Sequence, residues 1–256
     1  GFWRGVEEAS GLSSGYGRTG RLQPIADEKS LGLARAREIS AQTLWQDQAI
    51  WRVINADTRA DWAPQSPTGW LIHDTLSARI HPHNACLALA AALRGRGGRI
   101  ETNGPERGAV VHATGWQGLR ELTEQFDQPV GTGVKGQAAL LRFHAPDAPQ
   151  LFADALHIVP HADGSVAIGS TSERDFSDPH STDAQLDDVI ARAIVAFPVL
   201  RDAPVMAYWA GVRPRAKSRA PVLGAYPGRP GHFIANGGFK IGFGMAPKIA
   251  EVMADL

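Results

Sequence analysis

Arg213 stands directly after an apolar run in the block Trp209-Ala-Gly-Val-Arg-Pro-Arg. A guanidinium at that place stays charged at any working pH and can hold a carboxylate through two parallel hydrogen bonds. Further on comes Gly231-His-Phe-Ile-Ala-Asn-Gly-Gly-Phe-Lys-Ile-Gly-Phe-Gly. It reads as a short strand over 233–235, the glycine turn Asn236, Gly237, Gly238, and a final helix over 241–256. A strand, a glycine turn and a helix N-terminus together leave free backbone N–H groups that accept an anion. Lys240 then falls in the first turn of that helix, where a cation opposes the helix dipole by roughly 0.3–1 kcal/mol. A third stretch, Ala109-Val-Val-His-Ala-Thr-Gly115, reads as a strand closing on Thr-Gly, the kind of strand end at which α/β sheets bind ligands. Each feature has a plainer role as well. Arg213 fits a surface ion pair, Lys240 fits a lysine in water, and the glycines fit tight strand–helix packing.

Other chemistries find less support. His81/His83 and His157/His161 are the close histidine pairs, and no cysteine or carboxylate cluster completes a metal site around either. No phosphate-binding Gly-rich Lys-Ser/Thr loop is present. Cys86 is the one cysteine, which excludes an internal disulfide. It sits among Ala and Leu and is expected as a small core residue.

The elements that position these residues follow from periodicity and punctuation. The chain has 256 residues, 43% apolar and 20% charged, with zero formal net charge. That describes one large or two intimate globular units, with no global field for nucleic acid or membrane. The longest apolar run, 85–93, is too short to span a bilayer. No signal peptide is visible, and the cytoplasm is the default location. Helices are expected near the start (Phe2, Trp3 and Val6 at helical spacing) and over 29–45, 84–94, 119–125 and 183–197, the last capped by Thr182. Strands are expected over 16–25, 49–55, 69–73, 99–102, 109–113, 134–144, 156–161, 165–171 and 204–213, with Pro214 interrupting the last. Asp163-Gly164 signals a hairpin. Helix–strand alternation with hairpins in the middle describes an α/β (α+β) chain, in which an α/β layer interleaves with a larger mixed sheet.

These residues resemble the FAD-dependent D-amino-acid oxidase superfamily, which includes glycine oxidase and sarcosine oxidase. The likeness runs through Tyr16-Gly-Arg-Thr-Gly-Arg-Leu, Arg79-Ile-His-Pro, Ala109 to Trp116, Val134-Lys-Gly-Gln137, Ile158-Val-Pro with Ala167-Ile-Gly-Ser-Thr, Trp209-Ala-Gly-Val-Arg-Pro, and Gly237-Gly-Phe-Lys-Ile-Gly. It implies an incomplete FAD-binding Rossmann-like layer (69–118 and 211–256) interleaved with a mixed antiparallel-sheet substrate domain (1–68 and 119–210). Arg213 matches the arginine that holds the substrate carboxylate, and Lys240 a lysine that helps to do so. Ala113, Thr114, Gly115, Trp116, Gly211, Gly237, Gly238, Phe239, Lys240 and Ile241 match positions along the flavin. The FAD is expected to be non-covalent, because no cysteine stands near Arg213. The reaction implied is oxidation of a small amino acid or N-methyl amino acid by hydride transfer to flavin, with substrate selection by Tyr208 and the 151–157 region. The family's opening Gly-x-Gly-x-x-Gly turn with its helix and acidic residue has no counterpart here, so the chain is expected to be truncated at its N-terminal side. Two other readings stand beside this one: the oxidase domain of a tRNA-modifying enzyme, and a flavin-free fragment acting as a binding module.

Overall fold

The computed structural model describes residues 1–256, apart from the side chains of residues 59–61. Six α-helices and eleven strands are described, and side-chain caps set three of the helix starts. Asp27 accepts from Ser30 N–H at 2.7 Å and opens α2 (Glu28–Trp45). His81 caps α3 (Pro82–Gly95), with Pro82 where its missing N–H costs nothing. Asp183 accepts from Gln185 N–H at 2.9 Å and opens α5 (Ala184–Ala196). Asp183 thus takes the capping role expected of Thr182, since its carboxylate reaches the second N–H of the helix. The others are α1 (Phe2–Ser10), α4 (Gly115–Phe126) and α6 (Gly242–Ala254).

The strands form two sheets. The larger comprises β1 (Arg21–Pro24), β2 (Trp51–Asn55), β3 (Trp70–Asp74), β5 (Gly131–Arg142), β6 (Gln150–Ala153), β7 (Leu156–Pro160), β8 (Ser165–Gly169) and β9 (Val205–Ala216), in the order β2-β3-β1-β6-β7-β8-β5-β9. Its pairs are antiparallel except β1 with β6. The smaller runs β10 (Val222–Ala225), β11 (His232–Asn236), β4 (Val110–His112), with β11 and β4 parallel. β7 and β8 pair as the hairpin that Asp163-Gly164 signals. This mixed α/β chain matches the expected class.

The two faces of the large sheet differ in kind. On one, α5 and its C-cap Phe197 lay Leu186, Val189, Ala193 and Phe197 against Ala139, Leu141, Ile158 and Ile168 to form the main core. Side chains alternate along a strand, so Leu140, Val159, Ala167, Ala207, Trp209, Gly211 and Arg213 belong to the other face.

Several sequence expectations shift. The strand expected over 16–25 shortens to β1; Gly15 and Gly20 take positive φ, and Gly17 keeps a single bridge to Arg79. Residues 99–102 form no strand. Segment 69–74, expected in the smaller layer, pairs into the large sheet as β3. β6 and β10 carry no strong sequence signal. Pro214 does not interrupt β9, whose pairing with β5 continues to Ala216. β9 is an edge strand, where a missing N–H leaves no ladder bond unmade. Cys86 is exposed, because Ala85 and Ala88 take the buried side of α3. No helix among the described residues is long and apolar enough to cross a membrane.

Phe197 is fully buried where α5 meets the core. Phe197→Ala is expected to cost about 3–5 kcal/mol, read as a lowered urea midpoint with little change in slope.

Candidate functional site

The two halves of the glycine-rich C-terminal block meet at one joint. Phe239 N–H donates to the Pro214 carbonyl at 3.0 Å, and Arg215 bridges Gly238. The turn at 237–239 therefore lies against the end of β9, next to Arg213. Gly237 has φ 80°, and a Cβ there would come within 2.9 Å of the Ala216 Cβ, so only glycine fits. Phe239 also takes a positive φ of 44°. Lys240 precedes α6 rather than lying in its first turn; it is exposed, with Nζ 5.8 Å from the Phe239 ring centroid. Ile241 is the N-cap of α6, and no side chain caps that helix, so its first N–H groups are open to a ligand. A Cβ at Gly211, Gly242 or Gly244 would meet nothing within 4 Å.

Asn236, 7% exposed, links this turn to the other expected cofactor segment. Its Oδ1 accepts from Gly237 N–H at 2.7 Å, and its Nδ2 donates to the Gly115 carbonyl at 2.8 Å. Ala113, Thr114 and Gly115 are thereby tied to Gly237 and Gly238. Trp116 turns the other way: its ring packs over Gly133, edge-on to Phe176. The sequence reading missed Asn236 as a link, although a turn asparagine that bonds nearby backbone is a recognisable signal.

Arg213 is half-buried on the open face of the large sheet. Its Nη2 donates to Ser170 Oγ at 2.8 Å and to the Thr171 carbonyl at 2.9 Å. Its Nη1 is buried without a partner. Burial pulls the guanidinium below its ordinary range, opposed by the Glu173 carboxylate. An orphaned buried donor on a charged group is costly, and a bound carboxylate would satisfy it. Along the same face lies a cavity of about 460 Å³ lined by Ile80, Leu140, Val159, Ala167, Ala207 and Trp209 together with His81, His83 and His161. Tyr208, expected to select substrate, projects from the opposite face, being an odd number of residues from Arg213. Leu151 and Leu156 lie in the main core. Trp209, Tyr208's neighbour, takes the position facing the cavity.

His161 carries the strongest perturbation at this cavity. It is 3% exposed, its ring centroid is 4.6 Å from that of His81, and its Nδ1 has no partner. Burial first, then the neighbouring His81, push its imidazole down to about 4, with Asp163 opposing and Arg79 adding a smaller lowering.

Elsewhere, His112 Nε2 stands 3.0 Å from His232 Nδ1, with Glu106 close by. The ring centroids are 5.3 Å apart and the planes differ by 20°. The two nitrogens therefore face each other along one line. That is an N–H···N hydrogen bond, whereas a metal needs lone pairs converging on a shared point.

A family model described as FAD dependent oxidoreductase (DAO) matches residues 1–256. The chain belongs to this FAD-dependent oxidoreductase family. It is 32% identical over 148 residues to a glycine oxidase of Pseudomonas putida, covering 57% of this chain and 40% of that protein. It is 27% identical over 282 residues to the bifunctional protein ThiO/ThiG of Trichormus variabilis, covering 98% of this chain and 41% of that protein. The chain thus spans less than half the length of these curated relatives. Its fold matches the crystal structure of glycine oxidase from Geobacillus kaustophilus, with TM-score 0.82, 21% identity, and coverage of 100% of this chain and 75% of that one. It also matches iminodiacetate oxidase from a Chelativorans species, with TM-score 0.84, 18% identity, and coverage of 99% and 76%.

The folded pKa of His161 lies below its unfolded value, so the unfolded chain binds the proton more readily. The stability this contributes is complete above pH 6.5 and is lost as pH falls from 6.5 through about 4. The loss is on the order of 3 kcal/mol at roughly 1.4 kcal/mol per pH unit. Urea midpoints between pH 7 and 4 check this: His161→Gln should flatten the fall, and an equally steep fall in the variant would remove His161 as its source.

Proposed function

We propose that this chain binds a small amino acid or N-methyl amino acid by its carboxylate, with FAD held non-covalently beside it, as part of an FAD-dependent oxidase or dehydrogenase acting on CH–NH or CH–NH2 donors. The observation that carries the reading is the buried, unpartnered Nη1 of Arg213 beside the uncapped N-terminus of α6. The family membership and the glycine oxidase relatives support it.

The residues fit a flavin edge. The N–H groups at the start of α6 point out of the helix, the small residues leave room, and Asn236 holds both flanking turns together. Gly237, Gly238, Phe239, Lys240 and Ile241 would hold one edge of the flavin, with Ala113, Thr114 and Gly115 beside them and Gly211 leaving the approach open. FAD, when bound, supplies the acceptor for a hydride leaving the carbon that bears the nitrogen. The chain's own part is orientation and electrostatics. Arg213 fixes the carboxylate, and Lys240 adds a second positive charge near the joint. The α6 N-terminus favours negative charge beside it. With the donor carbon held in one pose, no side-chain nucleophile is needed. On this reading the substrate portion comprises 1–68 and 119–210 and the FAD portion 69–118 and 211–256, except that β3 pairs into the large sheet. A cytoplasmic setting accompanies this reading, since the single cysteine forms no disulfide.

Arg213→Ala should raise the KM for amino-acid substrates by more than tenfold, since loss of one partner of a buried charge pair costs about 2–5 kcal/mol. Flavin absorbance after adding FAD should be unchanged. Steady-state kinetics and the visible spectrum check both halves. An unaltered KM removes Arg213 from the carboxylate site, and a protein that takes up no FAD removes the flavin reading.

A further inference from the structure

The Val134-Lys-Gly-Gln137 stretch of β5 has no part in the chemistry above, yet it lies between Arg213 and the groups that Arg213 bonds. β5 is the strand between β8 and β9. Arg213 projects from β9, and its hydrogen-bond partners Ser170 and Thr171 follow the end of β8. To reach them the guanidinium must cross β5, and it crosses at Gly136. A Cβ there would stand 1.7 Å from Arg213 Nη2 and 2.6 Å from Cζ. Even the smallest side chain would take the place of the guanidinium.

The far side of the crossing is fixed separately. Residues 171–173 continue β8's pairing against β5: Thr171 N–H donates to the Gln137 carbonyl at 3.3 Å, and Lys135 and Glu173 exchange two backbone bonds of 2.9 Å each. Side chains then lock this segment. The Thr171 hydroxyl accepts from Gln137 N–H at 2.8 Å and donates to Glu173 Oε1. Gln137 Nε2 donates to Glu173 Oε1 at 3.1 Å and to Asp183 Oδ1 at 3.0 Å. Lys135 Nζ lies 3.7 Å from Glu173 Oε2, with the two side chains 4% and 9% exposed. The Thr171 carbonyl that receives Arg213 is thus set by a buried network on the opposite face of the sheet.

We propose that Gly136, Thr171 and Glu173 are positioning residues for Arg213: Gly136 is the gap through which the guanidinium passes, and the Thr171–Glu173 network sets the acceptor that aligns it. None of the three touches substrate. They leave Nη2 occupied and Nη1 free, so one nitrogen anchors and the other is presented. The reading of Nη1 as a carboxylate donor rests on the function proposed above, whereas the positioning itself does not.

Arginine-selective ¹⁵N NMR on the purified full chain separates the two. Native Arg213 should show slowed rotation of its terminal nitrogens. Gly136→Ala should abolish that signature and weaken acetate binding about tenfold or more. Thr171→Val, close in shape, should weaken the same signature with the melting temperature nearly kept. Glu173→Leu strands the Lys135 charge and should lose it. The pair Lys135→Met with Glu173→Gln removes both charges but keeps an amide oxygen for Thr171 and Gln137, and should restore it. Unchanged Arg213 resonances in Gly136→Ala overturn the proposal. If that variant does not fold, native-like resonances in Thr171→Val overturn it instead. If the resonances respond as expected but acetate perturbs nothing in the native chain, the positioning stands and the carboxylate reading falls.

Discussion

The site depends on a backbone contact between two sheets. β9 is the edge strand of the large sheet, and the turn follows β11, the central strand of the small one. They are joined where Phe239 N–H meets the Pro214 carbonyl and Arg215 bridges Gly238. Pro214 suits this place because an edge strand needs no N–H from it, while its carbonyl remains free to accept. The joint sets Arg213 one residue from the contact with Phe239, which lies three residues before α6 begins. Neither element alone could do this: the strand supplies charge without backbone donors, and the helix supplies donors without a fixed charge. Gly237 is the sharpest constraint on the joint, since its backbone conformation and its 2.9 Å approach to Ala216 both exclude a side chain.

The large sheet divides its labour between faces. The α5 face is closed, with Leu186, Val189, Ala193 and Phe197 sealing the core. The other face carries Arg213, and the cavity beside Trp209 lies along it. Strand alternation keeps the two apart, so the same twelve residues of β9 contribute Arg213 to one face and Tyr208 to the other. A rigid sealed face stiffens the strands that carry the open one, which is what a site built on orientation requires.

Much of this was legible in the sequence. The fold class, most helices, the central hairpin and the C-terminal strand–turn–helix all follow from periodicity, caps and glycine placement. Arg213 and the 237–241 turn stood out because a cation after an apolar run and clustered glycines are unusual at strand ends, and the structure brings the two segments together. The misses have physical causes. β6 and β10 have four residues each, too few for a pattern to show. Tyr208 was expected at the site from the family resemblance, but its face is decided by register, which the pairing of β9 with β5 sets. Cys86 looked apolar in context, yet Ala85, Ala88 and Ala92, three and four positions apart, claimed the inward side of α3. Asn236 and Thr171 act through contacts with residues far along the chain, and no local window contains both partners.

The glycines of β5 show how far spelling can stand from use. Gly131-Thr-Gly-Val-Lys-Gly136 has the Gly-x-Gly-x-x-Gly spacing that, before a helix, wraps a pyrophosphate. Here it lies within a strand, so its free N–H groups are spent on the ladder with β9. The glycines serve approach instead. A Cβ at Gly131 would meet the Arg215 carbonyl at 2.6 Å, one at Gly133 would meet Val212 at 2.5 Å and the Trp116 ring at 3.2 Å, and one at Gly136 would meet Arg213. Each lets a neighbour cross or press on β5: the edge strand, the first turn of α4, and the guanidinium. The pattern marks a strand that must be thin on both faces, because the cation of one face and the aromatic anchor of the other converge on it.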